Sequence, residues 1–595
     1  MSILSSFSHL TIILLLFSTF HLSHSLSLQS TKEINSLFNT MLFSPMKIFF
    51  YFAKMKLENM ETDFSCSMCL NVIDAVTKTI VEKYDTEGIK HYIKLLCSLY
   101  YDIEVCNTYV DSYGKYGINA LVLRIGNKYN LCFKLNFCPE GEETEDVYDM
   151  ALRLLKDKPA DKKREKIDTT APVWKMIQLT DIHLDLNYLE GGSVFCDEPL
   201  CCRDKASNYS RIKAGKFGYL GRCDANTELL NSFIEKAYEL NPDFIIWTGD
   251  NSPHNSKGSS QEDNYNATNY VSEKLYEKFG KNIPIYPALG NHEIYPSDLY
   301  IGDDDNFLET YANIFKEFFT EEQAYESFKL YGYYTEIYKD NLRIIVLNCL
   351  LCDTWNFYII SGKHEAAKKE FIWLEEILRQ AENNGEYVYI IDHFPINGNF
   401  QLNECAKRFR ALYDRFDYII RGIFSGHTHL DDISPVRAYF EPKPIININY
   451  IAPPLTTYPK RNPSFRMFLL DSNTKNVIDY QQYRLNLTDA NEKGEANWYI
   501  TYNATSLFNV TDLTEIEKMC NINVEGDYIR QRYAEGESAK KEHDKKQIKN
   551  AKCQIQTDTY HDYYMCSSGS VISLEYFFEF FNDLSGEWAL NSEEL

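Results

Sequence analysis

Short apolar runs recur along the middle of this chain, and five of them lead into polar motifs that share one chemistry. The runs at 175–179, 244–247, 283–289, 387–391 and 418–424 come just before Asp181-Ile182-His183, Gly249-Asp250-Asn251, Gly290-Asn291-His292-Glu293, His393 and Gly426-His427-Thr428-His429. A further run at 343–347 continues the series. Apolar runs this short read as buried strands. Helix-period segments at 226–240 and 363–383 fall between them. Strands alternating with helices predict a layered α/β sheet, and ligands in such sheets gather beyond the carboxyl ends of the strands. All five motifs lie at such ends.

The residue types at those ends are metal ligands. Carboxylate, amide and imidazole groups suit divalent ions, and a bridging carboxylate, for which Asp250 is the candidate, can hold two dications close together. A dinuclear site activates water for in-line attack on phosphorus, so the pattern implies a phosphoesterase. The chain has 13 histidines, and His9, His21 and His24 lie in or beside the N-terminal leader. Six of the other ten are His183, His254, His292, His393, His427 and His429, a concentration that scattered structural histidines would not give. Asp185 reads equally as a direct ligand or as a residue behind the ligands or capping the loop. The histidine-rich set makes zinc the first choice of metal.

With 595 residues the chain is too long for one ordinary core. Its net charge of -24, without a basic groove, argues against nucleic acid as a partner. The apolar run 10–20, followed by small and polar residues at 23–27, reads as a signal peptide over 1–26 and is too short to span a membrane. Residues 27–62 read as a pro-segment or surface segment. Sequons at Asn208, Asn266, Asn486, Asn503 and Asn509, beside sixteen cysteines, point to the secretory route. Helical periodicity interleaved with Cys66, Cys69, Cys97, Cys106, Cys132 and Cys138 predicts a small stapled domain over 63–141. Six cysteines allow fifteen pairings, and spacing alone does not choose among them. The charge-switching stretch 142–172 reads as a solvated linker.

The six-cysteine pattern resembles the saposin family. That resemblance implies the pairs Cys66–Cys138, Cys69–Cys132 and Cys97–Cys106, and a helical leaf that contacts lipid. The five motifs in order resemble the metallophosphoesterase superfamily. By that resemblance Asp181, His183, Asp250 and His429 hold one metal, and Asp250, Asn291, His393 and His427 hold the other. His254 and His292 are assigned to substrate orientation and leaving-group protonation. A saposin-like domain followed by this core is similar to the acid sphingomyelinase family. That likeness adds the pairs Cys196–Cys201, Cys202–Cys223, Cys352–Cys405 and Cys553–Cys566, and leaves Cys349 and Cys520 either joined or free.

The expected architecture is therefore an α/β, layered β-sandwich metallophosphoesterase core at 173–480 flanked by helices, with an N-terminal all-α saposin-like domain and a helical C-terminal lobe at 481–595. The implied activity is hydrolysis of sphingomyelin to ceramide and phosphocholine by a hydroxide bridging two metals, in a secreted or lysosomal protein. The implied partners are sphingomyelin-containing membrane surfaces and anionic lipids; the oligomeric state stays open. Two alternatives stand beside this reading: a secreted phosphodiesterase acting on nucleotide or other diesters, and a non-catalytic lipid-binding protein. Pro253 occupies the place where purple acid phosphatases carry a metal-ligating tyrosine.

Overall fold

The computed structural model describes residues 70, 86–98, 103–126, 145–196, 198–207, 210–254, 258–302, 305–339, 341–396, 400–534, 545–557, 563, 566 and 567. Among these residues, twelve strands form two six-stranded mixed sheets. They are β1 (Val173–Leu179), β2 (Phe244–Trp247), β3 (Ile285–Pro287), β4 (Tyr334–Tyr338), β5 (Leu342–Val346), β6 (Tyr387–Ile391), β7 (Ile420–Ser425), β8 (Asp432–Arg437), β9 (Ile445–Ile451), β10 (Ser464–Asp471), β11 (Val477–Leu485) and β12 (Trp498–Asn503). One sheet has the order β12-β11-β10-β1-β2-β3, the other β4-β5-β6-β7-β9-β8. Within them β1-β2-β3 and β5-β6-β7-β9 run parallel.

β2 and β6 are apolar along their whole length because both faces are covered; β2 is buried at every residue. Between the sheets lies a layer of rings. Phe424 meets Phe468 at 5.1 Å, and Tyr450 meets Phe468 at 5.4 Å and Tyr480 at 6.2 Å. Helices cover the outer faces by the same logic. Thr227–Glu239 starts where the Asn226 side chain accepts the Leu229 N–H, and it buries Leu229, Leu230, Phe233, Ile234 and Ala237 along one stripe. Each large apolar side chain in that stripe contributes roughly 1.5–3 kcal/mol relative to exposure. Glu365–Asn384 ends at Gly385, whose φ of 69° is the left-handed cap that favours glycine.

Two boundaries differ from the sequence reading. The stretch 142–172 contains the helix Glu145–Lys156, with Ala151 and Leu154 fully buried. Its later half is strapped down: Lys158 Nζ lies 2.8 Å from Asp414 and 2.9 Å from Asp417, and Arg164 donates to the Ile420 carbonyl. The charges suggest a solvated connector, but Arg153, Lys158 and Arg164 are held by specific partners. The C-terminal boundary at 480 falls inside β11, and β12 also joins the sheet; short helices come only between and after these strands. Polar side chains such as Gln482 and Arg484 hid the strand signal there.

In the N-terminal unit the helices Thr86–Cys97 and Ile103–Gly126 are joined by the Cys97–Cys106 disulfide, and Lys90 and Lys94 both reach Asp111. Cys66, Cys69, Cys132 and Cys138 lie outside the described residues, as do the leader and Asn208. Cys196–Cys201, Cys202–Cys223, Cys352–Cys405 and Cys553–Cys566 are bonded, while Cys349 and Cys520 are free and buried. Among the described residues, no helix is long and apolar enough to cross a membrane.

Candidate metal centre

The motifs follow the carboxyl ends of β1, β2, β3, β6 and β7, and the fold brings them together there. His183 Nε2 lies 3.1 Å from His429 Nε2 and 3.5 Å from an Asp250 oxygen. His393 Nε2 lies 3.1 Å from Asp250 Oδ2 and 3.1 Å from Asn291 Oδ1. His429 Nε2 lies 3.4 Å from Asp181 Oδ1. Asp250, His393 and His427 form one cluster of potential ligand atoms, and Asp181, His183 and Asp250 form another. Asp250 belongs to both clusters, as a bridging ligand must.

Backbone conformation sets this arrangement. Asp181, His183, Asp250, His427 and His429 all adopt positive φ, between 44° and 67°. Non-glycine residues rarely do so, and each costs of order 1 kcal/mol or more. Five such residues at one place are strain maintained for a purpose. Two motif glycines permit the close approach. A Cβ on Gly426 would stand 2.0 Å from Thr180 Oγ1, and one on Gly290 would stand 2.2 Å from Asp250 Oδ1.

The imidazoles are oriented from behind. His183 Nδ1 meets the Ser252 carbonyl at 2.8 Å, His393 Nδ1 the Thr248 carbonyl at 2.7 Å, and His429 Nδ1 the Tyr458 carbonyl at 2.7 Å. A carbonyl only accepts, so each Nδ1 carries a hydrogen and each Nε2 faces the centre, as a lone pair whenever its ring is neutral. For His183 and His429 this places two lone pairs against one another at 3.1 Å. Such a pair needs a cation or an extra proton between them. His427 Nδ1 is buried without a partner. This donor set fits two divalent ions.

Electrostatics agree. Burial opposes ionisation of Asp250, but His393, His292 and His183 hold its carboxyl well below the usual range. Burial likewise opposes a charge on His393, yet Asp250 raises its imidazole to about 10. Burial pushes His183 and His427 well down. Against burial, Asp181 likewise raises His429, so the carboxylates here draw positive charge onto their neighbours, as a site prepared for cations would.

The two remaining histidines flank this centre. His254 stacks on His183 at 4.1 Å between ring centroids, and its Nδ1 lies 2.8 Å from Asp224 Oδ1. Asp224 also accepts the His254 N–H at 2.7 Å. His292 crosses His183 edge-on at 4.9 Å, and its Nδ1 lies 3.1 Å from Ser297 Oγ. Asp185 is not among the clustered ligands: it pairs with Arg203 at 2.9 and 3.0 Å and accepts the Asn187 N–H, a loop-closing role.

Several residues here carried no role in the sequence reading. Glu293 accepts the backbone N–H groups of Gly290, Asp250 and Asn251, so one buried carboxylate clamps two motif turns. Burial and the charge of Asp250 push it up to about 7. Tyr458 packs on His254 at 4.0 Å, and Phe400 packs on His427 at 4.2 Å. Asp224 had no motif around it; Glu293 had one, whose last position went unused.

Residues 175–431 match the family described as Calcineurin-like phosphoesterase, and 443–522 match the Acid sphingomyelin phosphodiesterase C-terminal region. The chain is 27% identical over 544 residues to Sphingomyelin phosphodiesterase B of Dictyostelium discoideum, covering 89% of this chain and 83% of that one. It is 31% identical to Sphingomyelin phosphodiesterase A of the same organism, covering 69% of this chain and 74% of that one. It is 32% identical to a Cyclic GMP-AMP phosphodiesterase of Bos taurus, covering 58% of this chain and 78% of that one. Matches of this extent, with both catalytic and C-terminal regions present, place the chain in the acid sphingomyelinase-like family of phosphodiester hydrolases.

Proposed function

We propose that this chain hydrolyses sphingomyelin to ceramide and phosphocholine, acting on lipid in a membrane surface. The observation that carries the reading is the convergence of Asp181, His183, Asp250, Asn291, His393, His427 and His429, with Asp250 shared between two ligand sets. One ion would be held by Asp181, His183, Asp250 and His429, and the other by Asp250, Asn291, His393 and His427; zinc suits these donors. When bound, a metal pair supplies Lewis acidity and lowers the pKa of water.

The protein's own groups do the rest. Asp224 holds His254 Nδ1–H at 2.8 Å, which leaves Nε2 as the free position for a proton. Buried beside the ring, the Asp224 carboxylate fixes its orientation, so His254 presents Nε2 to deliver the proton that the departing ceramide oxygen needs. His292, steadied by Ser297, orients the phosphate oxygens and serves as the second candidate donor. Glu293 keeps the β2 and β3 turns in register while charge develops. The N-terminal domain presents lipid, and the leader, sequons and disulfides support a secreted or lysosomal destination. Activity is expected at acid pH, where protonation of an acidic chain lowers its repulsion from anionic bilayers.

The Cyclic GMP-AMP phosphodiesterase relative favours a second reading, hydrolysis of nucleotide diesters. Purified enzyme assayed on sphingomyelin vesicles and on nucleotide diesters separates the two. Turnover of nucleotide diesters alone overturns the lipid reading. Unchanged hydrolysis after His427→Ala overturns the assigned centre, and a wild-type chain inactive on every diester would return it to lipid binding alone.

A further inference from the structure

The chain leaves the first metal motif into a long loop, 186–222, and returns at Asp224, the carboxylate that holds His254. Both stems of the loop are therefore parts of the centre. The loop has its own small core: Val194, Cys201, Cys202, Ala214 and Cys223 are buried together. Two disulfides staple it, Cys196–Cys201 and Cys202–Cys223. Backbone bonds tie its arms, from Leu189 N–H to the Cys202 carbonyl at 2.8 Å, from Gly191 N–H to Ala214 at 2.8 Å, and from Ala214 N–H to Gly192 at 3.0 Å.

A loop built this firmly could have turned its apolar residues inward. Instead Leu186, Leu189, Phe195 and Ile212 stay 43%, 36%, 67% and 49% exposed. The Gly191–Ala214 bond brings the arm of Leu189 beside the arm of Ile212. Phe195 follows directly on the buried Val194. Exposed apolar residues on a stapled frame mark a contact surface.

Charge identifies the partner. The loop carries six basic residues, Arg203, Lys205, Arg211, Lys213, Lys216 and Arg222, all from 203 onward, where Asp204 is the single acid; Glu190, Asp197 and Glu198 precede them. The whole chain carries -24. Arg203 is matched by Asp185, but Lys205, Arg211, Lys213 and Arg222 are exposed. Ile212 stands between Arg211 and Lys213. Apolar side chains flanked by cations, on a molecule acidic elsewhere, match a bilayer with anionic headgroups: rings and aliphatic groups enter the acyl boundary while the cations meet phosphate.

We infer that the loop 186–222 docks the catalytic unit onto an anionic lipid bilayer, with Leu189, Phe195 and Ile212 entering the interface and Arg211 and Lys213 meeting headgroup phosphates. This rests on the membrane-lipid reading of the substrate, and the test keeps the two apart. The sequon at Asn208 lies in the same loop, so the measurement uses the full glycosylated chain loaded with metal. Co-sedimentation with phosphatidylcholine vesicles, with and without phosphatidylserine, measures docking. Hydrolysis of the water-soluble bis(nitrophenyl) phosphate measures the intact centre, whatever the natural substrate. Arg211→Glu with Lys213→Glu should weaken binding to phosphatidylserine vesicles at least about tenfold. Phe195→Ser with Ile212→Ser should weaken binding comparably. Both double variants should hydrolyse the soluble diester at the wild-type rate. Wild-type vesicle binding by both double variants, or binding indifferent to phosphatidylserine, overturns the inference.

Discussion

Asn291 Nδ2–H donates to Asp298 Oδ1 at 2.9 Å, and the other end of the same amide, Oδ1, lies 3.1 Å from His393 Nε2. One carboxylate thus decides which end of the amide faces the centre. Asp298→Ala should lower affinity for the ion on that side by about 10–100-fold, because a partner behind a ligand fixes its orientation. Asp298→Asn keeps an acceptor and should retain most of the affinity. Chelator competition on purified protein measures this, and equal affinity for all three proteins would refute it.

His254 is held by Asp224 through both its ring and its backbone N–H. His254→Ala should reduce kcat by about 10²–10⁴-fold on substrates with an alkoxide leaving group. A nitrophenyl ester departs without needing a proton, so its loss should be much smaller. Similar losses on both substrate types would assign His254 to binding rather than proton transfer.

Arg466 is fully buried; it reaches Asp431 at 2.6 Å and Gln482 at 2.9 Å, and it stacks on Tyr480 at 4.1 Å. Asp431→Ala strands that guanidinium and should cost about 3–5 kcal/mol. Arg466→Met removes the larger desolvation cost and fills similar volume, so it should cost less. Urea unfolding of the two variants ranks them, and the reverse order would contradict the argument.

Glu370 is buried; its Oε1 accepts the Asn348 N–H at 2.8 Å while Oε2 has no partner. Burial, with the charge of Asp392 adding to it, raises its carboxyl well above the usual range despite the Asn348 hydrogen bond. A raised folded pKa means that the folded chain holds the proton more tightly. The stability from this group is complete below the unfolded pKa of about 4.3 and falls as pH rises toward the folded value. Glu370→Gln should therefore gain stability relative to wild type as pH rises above the unfolded value of about 4.3, by at most about 1.4 kcal/mol per pH unit. Denaturation midpoints that move in parallel across that range would exclude the effect.

Much of this protein was legible early, and particular residues show why. The runs at 244–247 and 387–391 coincide with β2 and β6 because strands buried on both faces are apolar at every position. β10, β11 and β12 were harder to read: the sheet buries Arg466 and Gln482 as bonded polar groups, which no alternation pattern reveals. The helix Glu145–Lys156 hid within a charged stretch for a related reason. Its Arg153 has a fixed partner in Glu375, and composition alone cannot distinguish a paired charge from a solvated one.

The sequence alone supplied the candidate ligand types, their order along the chain and their placement after apolar runs, since those follow from residue type and periodicity; the division into two ligand sets came from the family resemblance. Only the tertiary structure decided which lone pairs face one another, that Asp224 belongs to His254, and that Glu293 clamps two turns. Those facts depend on residues tens to hundreds of positions apart meeting in space. Carbonyls such as those of Ser252, Thr248 and Tyr458 belong to every residue type, so no sequence signal marks the ones that orient a histidine. Left-handed backbone at five non-glycine positions is likewise imposed by the surrounding fold, which alone can hold such strain in place.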